Sequence, residues 1–86
     1  MSYVVQLERG AERELKRLPD RVLRAVDAKL VALSRNPRLR GTVKLRGREA
    51  EGWRVRAGEY RILFTIDESK KVVSVYRIRH RGAAYR

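Results

Sequence analysis

From Trp53 to Ala57 the chain alternates apolar and basic residues, and this period of two commits the stretch to β structure. Trp53 and Val55 share one face of a strand, while Arg54 and Arg56 share the other. Ala57-Gly58-Glu59 supplies a turn, and beyond it Tyr60, Ile62, Phe64 and Ile66 align on one side with Arg61 opposite. A hairpin written this way has one apolar face and one cationic face. The apolar face needs a second layer to cover it. The cationic face has no role in a core and suits a polyanion.

The remaining segments supply that layer. Tyr3 to Leu7 is short and rich in β-formers, so it reads as a first strand. Ala11, Leu15 and Leu18 recur at helical spacing until Pro19 stops the run. Asp20 is the expected N-cap of a second helix whose stripe is Val22, Leu23, Val26, Leu30 and Leu33. That helix should end before Asn36-Pro37, because the residue ahead of a proline disfavours α geometry. So short a link between helices makes them an antiparallel helical hairpin.

After Pro37 the pattern is β again. Val43 to Leu45 reads as a short strand, followed by a polar loop from Arg46 to Gly52. Strands are expected over Trp53 to Ala57, Tyr60 to Ile66 and Lys71 to Ile78, with Asp67-Glu68-Ser69-Lys70 as the second turn. The expected fold is α+β: an N-terminal strand at a sheet edge, then a helical hairpin packed on one face of an antiparallel β-sheet, in the order β-α-α-β-β-β. Residues 1–86 form one small domain, near the lower limit for a self-sufficient core. Trp53, Tyr60 and Tyr76 read as core residues.

Composition narrows the partner. The 22 Lys and Arg, seventeen of them arginine, stand against 10 Asp and Glu for a net charge of +12. Guanidinium suits bidentate phosphate recognition better than ammonium does, so nucleic acid is the leading partner class. No segment approaches the ~20 apolar residues of a membrane span, and the first residues lack a leader pattern, so a cytoplasmic chain is expected. Glu8, Glu12, Glu14, Asp20 and Asp27 read as a solvated helical surface, interleaved with arginines at 13, 17, 21 and 24.

With one histidine and no cysteine, the chain has no zinc or iron motif, and its scattered carboxylates suggest no two-metal nuclease. Its glycines are isolated, so no phosphate loop or dinucleotide fingerprint is present. No cofactor is implied. Any catalysis must run on arginine, tyrosine, histidine or lysine. RNA cleavage through its own 2′-hydroxyl suits that toolkit, because it needs alignment, proton transfers and neutralisation of a phosphorane-like charge.

Three runs then carry a family likeness: Lys44-Leu45-Arg46-Gly47, the Trp53-to-Phe64 hairpin, and His80-Arg81-Gly82-Ala83-Ala84-Tyr85. Together with Lys16-Arg17-Leu18-Pro19 and Asn36-Pro37-Arg38, they resemble the RelE branch of the RelE/ParE toxin superfamily over nearly the whole chain. The resemblance implies a type II toxin–antitoxin toxin that cleaves mRNA in the ribosomal A site and is neutralised by a cognate antitoxin. It places the central basic pair on Arg54 and Arg56, the next-strand arginine on Arg61, the late arginine on Arg81 and the C-terminal tyrosine on Tyr85. Lys44, Arg46 and Arg48 would grip ribosomal RNA or message backbone, with Arg77 and Arg79 continuing on the side of Arg81.

Two departures from the family pattern matter. The best-known RelE proteins carry lysine at the central pair, one serving as general base; arginine keeps its proton in proteins. The base here falls to His80, Glu59 or Tyr85, or catalysis rests on electrostatics. His80 itself is the second departure, and strand alternation turns it away from Arg81. Two other readings share the fold: a ParE-like inhibitor of DNA gyrase without nuclease activity, and a degenerate member that only binds.

Overall fold

The computed structural model describes residues 2–46 and 51–82. Its elements run β1 (Val4–Leu7), α1 (Arg9–Lys16), α2 (Asp20–Arg35), β2 (Val43–Lys44), β3 (Trp53–Ala57), β4 (Tyr60–Asp67) and β5 (Val72–His80). All five strands join one sheet in the order β1-β5-β4-β3-β2. The first strand takes an edge, as its sequence implies, but it lies parallel to β5, so the sheet is mixed rather than antiparallel throughout. The other pairings are antiparallel.

Both helices end where the sequence withdraws their hydrogen bonds. The Leu18 N–H closes onto Leu15 C=O, and Pro19 cannot continue the ladder. Pro19, not Asp20, then occupies the cap position of α2, and its carbonyl accepts the Leu23 N–H at 2.8 Å. Asp20 is the first helical residue instead, where its charge meets the positive end of the helix dipole. Asn36 is extended, with φ −153°, as a residue before proline prefers.

The helical hairpin covers one sheet face. Val26 and Leu33 of α2 and Ala11 of α1 are fully buried against Val55, Ile62, Phe64, Val73 and Val75. Trp53 and Tyr60 pack on this cluster, and the Arg38 guanidinium sits 5.6 Å from the Trp53 ring centroid. Gly52 lets β3 enter close to β4: its φ is +88°, and a Cβ there would lie 2.2 Å from the Phe64 carbonyl oxygen.

One irregularity decides which residues face where. Leu63 pairs with Arg77, but Phe64 pairs with Val75, so β5 carries Tyr76 as an extra residue. Val73 and Val75 are buried before the bulge, and Ile78 after it. Without that one-residue shift, Arg77 and Arg79 would share the core face of Val73 and Val75. Tyr76 itself is half-buried and not part of the core, contrary to its sequence reading. Its hydroxyl donates to the Glu51 carbonyl at 2.6 Å.

Glu14 also departs from its expected role as a solvated charge. β1 stops pairing with β5 at Leu7 and Val75, and beyond that point no strand among the described residues pairs with the outer edge of β5. There Glu14 Oε1 accepts the Ile78 N–H at 2.8 Å, and its second oxygen lies 3.6 Å from the Arg77 guanidinium.

Candidate functional site

The face of the sheet turned away from the helices carries the arginines. Register places Arg56 directly opposite Arg61, and Arg61 directly opposite Arg79. With strands about 4.8 Å apart, three guanidinium-bearing side chains rise side by side within roughly 10 Å. The next row on the same face is Arg54, Leu63 and Arg77. Arg54, Arg61 and Arg79 are half-buried; Arg56 and Arg77 are exposed.

Like charges directly opposite one another destabilise a sheet, so this arrangement opposes folding unless an anion neutralises it. Among the described residues, no carboxylate lies within ion-pair distance of Arg54, Arg56 or Arg79. Arg77 is the member with an acidic neighbour, Glu14.

Arg81 extends the patch at the hairpin end. Its backbone N–H donates to Glu59 C=O at 2.7 Å, and its guanidinium lies 3.9 Å from the Glu59 carboxylate, both side chains exposed. It lies two positions beyond Arg79, a rise of about 7 Å. Arg61 thus sits at the middle of a cationic surface drawn from β3, β4 and the end of β5.

The other sequence candidates fall elsewhere. His80 pairs with Tyr60 on the opposite side of the sheet from Arg61 and Arg79, their rings edge-on with centroids 5.2 Å apart. Its Nδ1 accepts the Gly82 N–H at 3.1 Å, which assigns the proton of the neutral ring to Nε2. Lys44 is opposite Trp53, on the helix-covered side, and so stands apart from Arg54 and Arg56. Arg46 is exposed just beyond β2. Arg48 and Tyr85 lie outside the described residues. None of the helical arginines 13, 17, 21 and 24 has an ion-pair partner among the described residues.

A separate polar cluster ties the far end of the sheet together. Glu68 accepts from Arg38 and, at 2.8 Å, from the Tyr3 hydroxyl, while Lys71 Nζ lies 3.5 Å away. The Arg38 guanidinium is the main reason that the Glu68 carboxyl is held below the usual carboxylate range. Asp67 is lowered as well, chiefly by the Lys70 N–H and then by the Ser69 hydroxyl. These groups staple β1, the β4–β5 turn and the segment after α2, away from the arginine face. Among the described residues no three His, Cys, Asp or Glu side chains converge as metal ligands. No described helix is long and apolar enough to cross a membrane.

Comparison with known proteins agrees with this architecture. Residues 5–85 match the family described as ParE toxin of type II toxin–antitoxin systems. The Mycobacterium tuberculosis toxin RelG is 39% identical over all of this chain and 99% of its own length. The toxin in the RelBE2 toxin–antitoxin complex of M. tuberculosis superposes with a TM-score of 0.83 at 38% identity, over 94% of this chain and 100% of the other. A RelE–RelB complex from Pyrococcus horikoshii gives 0.81 at 26% identity, covering 95% and 98% of the two chains. The Escherichia coli toxin RelE, as a free-state mutant, gives 0.75 at 27%, covering 99% and 90%. With its two helices on a five-stranded mixed sheet, the chain belongs to the RelE/ParE superfamily of toxins from type II toxin–antitoxin systems.

Proposed function

We propose that this toxin is a metal-independent mRNA endoribonuclease that acts on the translating ribosome and so inhibits translation. The observation that carries the reading is the row Arg56–Arg61–Arg79, three like charges in register on an open sheet face. In the reaction, the 2′-hydroxyl attacks the adjacent phosphorus in line and the 5′-oxygen leaves. The products are a 2′,3′-cyclic phosphate and a 5′-hydroxyl. Arg61 and its neighbours bind the non-bridging oxygens and neutralise the extra charge of the transition state. Arg54 supports them from the next row, and Arg81 serves the leaving oxygen or holds the message. Arginine cannot remove the 2′-hydroxyl proton. Of the described candidates, Glu59 is the one beside Arg81, whereas His80 faces the other way. Tyr85 retains the role the resemblance gives it, stacking on or orienting a nucleotide. Much of the substrate alignment comes from the ribosome, so the isolated protein is a weak nuclease.

A cognate antitoxin of RelB type is the expected protein partner. The net charge of +12 favours a short acidic segment, and the P. horikoshii relative is solved with its RelB.

Primer extension on mRNA from a translating lysate tests the nuclease. Added protein should produce cuts phased with codons, and Arg61→Ala should weaken them about 10²–10³-fold, the usual effect of one transition-state donor. Intact message alongside blocked supercoiling by DNA gyrase would replace this reading with the ParE-like one.

A further inference from the structure

Beside the arginine row, the sheet edge holds a cleft whose Lys29, Gly41 and Val43 have no part in the proposed reaction. It has a volume of about 400 Å³ and is lined by Lys29 of α2, Gly41 and Val43 near β2, and Arg54, Val55 and Arg56 of β3. It exists because β2 is only two residues long. Leu45 N–H donates to Gly52 C=O, and Val43 pairs with Arg54, so even-numbered residues of β3 turn their backbone groups towards β2. Arg56 lies two residues beyond the last pair. Its N–H therefore faces the open edge, where no strand among the described residues lies beside it.

The cleft is thus bordered by Lys29 on the helix side and by Arg54 and Arg56, whose side chains rise on the far face, with one outward backbone donor between them and Val43 and Val55 as apolar neighbours. Among the described residues no carboxylate is within ion-pair distance of Lys29, Arg54 or Arg56. Gly41, at φ +97°, keeps one wall free of a side chain. Cations with an N–H donor and no acidic partner fit a phosphate oxyanion, and the valines fit the apolar edge of a ribose.

From this geometry we infer that the cleft is a second phosphodiester subsite. Lys29 binds a phosphate of the RNA strand neighbouring the one held over Arg61. Arg54 and Arg56 lie between the two positions and bridge them. The ligand class rests on the ribonuclease reading, but binding and cleavage separate experimentally.

The test uses the toxin and a 2′-O-methylated hexaribonucleotide, which cannot cleave itself, with fluorescence anisotropy followed from 50 to 200 mM salt. Each phosphate contact on a single strand contributes a slope of about −0.7 in log affinity against log salt. Lys29→Ala should weaken binding several-fold at low salt and flatten the slope by about 0.7. Lys29→Arg should retain the wild-type slope, and Lys16→Ala on α1 should leave it unchanged. A wild-type slope in Lys29→Ala, with its melting curve intact, overturns the subsite and leaves the nuclease reading standing. A flattened slope in a protein that cuts no message supports the subsite and removes the nuclease. No binding of the oligonucleotide by wild type overturns the subsite, while primer extension on translating ribosomes decides the nuclease separately.

Discussion

Replacing Glu14 should move stability and RNA affinity in opposite directions. Its carboxylate accepts the Ile78 N–H at 2.8 Å and lies 3.6 Å from Arg77. Ile78 is 2% exposed, and among the described residues no strand pairs with that edge of β5, so it is burial that makes water a poor substitute acceptor. Truncation in Glu14→Ala strands that donor, at a cost of about 1–3 kcal/mol. Loss of the half-exposed pair with Arg77 adds less than about 1 kcal/mol. A net loss near 2 kcal/mol lowers the melting temperature by roughly 8–16 °C in a domain of this size. Glu14→Gln keeps an acceptor oxygen and should lose less than about 1 kcal/mol. Both variants release Arg77 to the cationic face, which should steepen the salt slope of RNA binding by about 0.7. Thermal unfolding by circular dichroism gives the first quantity and anisotropy titration the second. If Glu14→Ala melts with wild type, or Glu14→Gln is as damaging as Glu14→Ala, the backbone bond is not what Glu14 supplies. A double-mutant cycle with Arg77→Ala isolates the ion pair.

Gly52→Ala should destabilise by more than the ~1–3 kcal/mol of its left-handed backbone alone, since the new Cβ meets the Phe64 carbonyl at 2.2 Å; urea unfolding measures it. The depressed carboxyls of Glu68 and Asp67 contribute stability that is whole above their unfolded values, near pH 4, and is lost as pH falls through their lower folded values. Melting temperatures between pH 6 and 2 should therefore drop on the acid side, and more shallowly in Glu68→Gln. Glu59→Gln should slow message cleavage about 10²–10⁴-fold while leaving oligonucleotide affinity within a few-fold, if its carboxylate takes the proton. A matching loss in both assays would make it a positioning residue for Arg81.

The arginine face was legible because a period-two pattern leaves no other placement for Arg54, Arg56 and Arg61 once Val55, Ile62 and Phe64 go inward. The positions of the helices followed from Pro19 and Pro37, residues that end helices by covalent geometry. Other features depend on pairings between distant segments. That β1 runs parallel to β5 is a property of the return path, which local spacing does not encode. The resemblance places Lys44 with Arg46 and Arg48 as an RNA grip, and only the register sets it opposite Trp53. Glu14 looked like one more exposed acid because the backbone donor it serves lies 64 residues away in the chain. The cleft beside Lys29 depends on where β2 stops, and a two-residue strand has no sequence signature of its own.

The bulge at Tyr76 was readable in principle. Val73, Val75 and Ile78 follow one another at steps of two and then three positions, and a regular strand cannot bury all three. Accepting the break forces Arg77 and Arg79 out to the face that Arg61 already occupies. The extra residue is also the one whose hydroxyl holds the Glu51 backbone, immediately before the Gly52 entry into β3. One side chain therefore couples the two halves of the patch: it shifts the phase of the strand carrying Arg79 and fixes the start of the strand carrying Arg54 and Arg56. An isolated arginine cluster would spread under its own repulsion. Here a buried core on the opposite face locks the strands, so Arg56, Arg61 and Arg79 stay opposite one another against that repulsion.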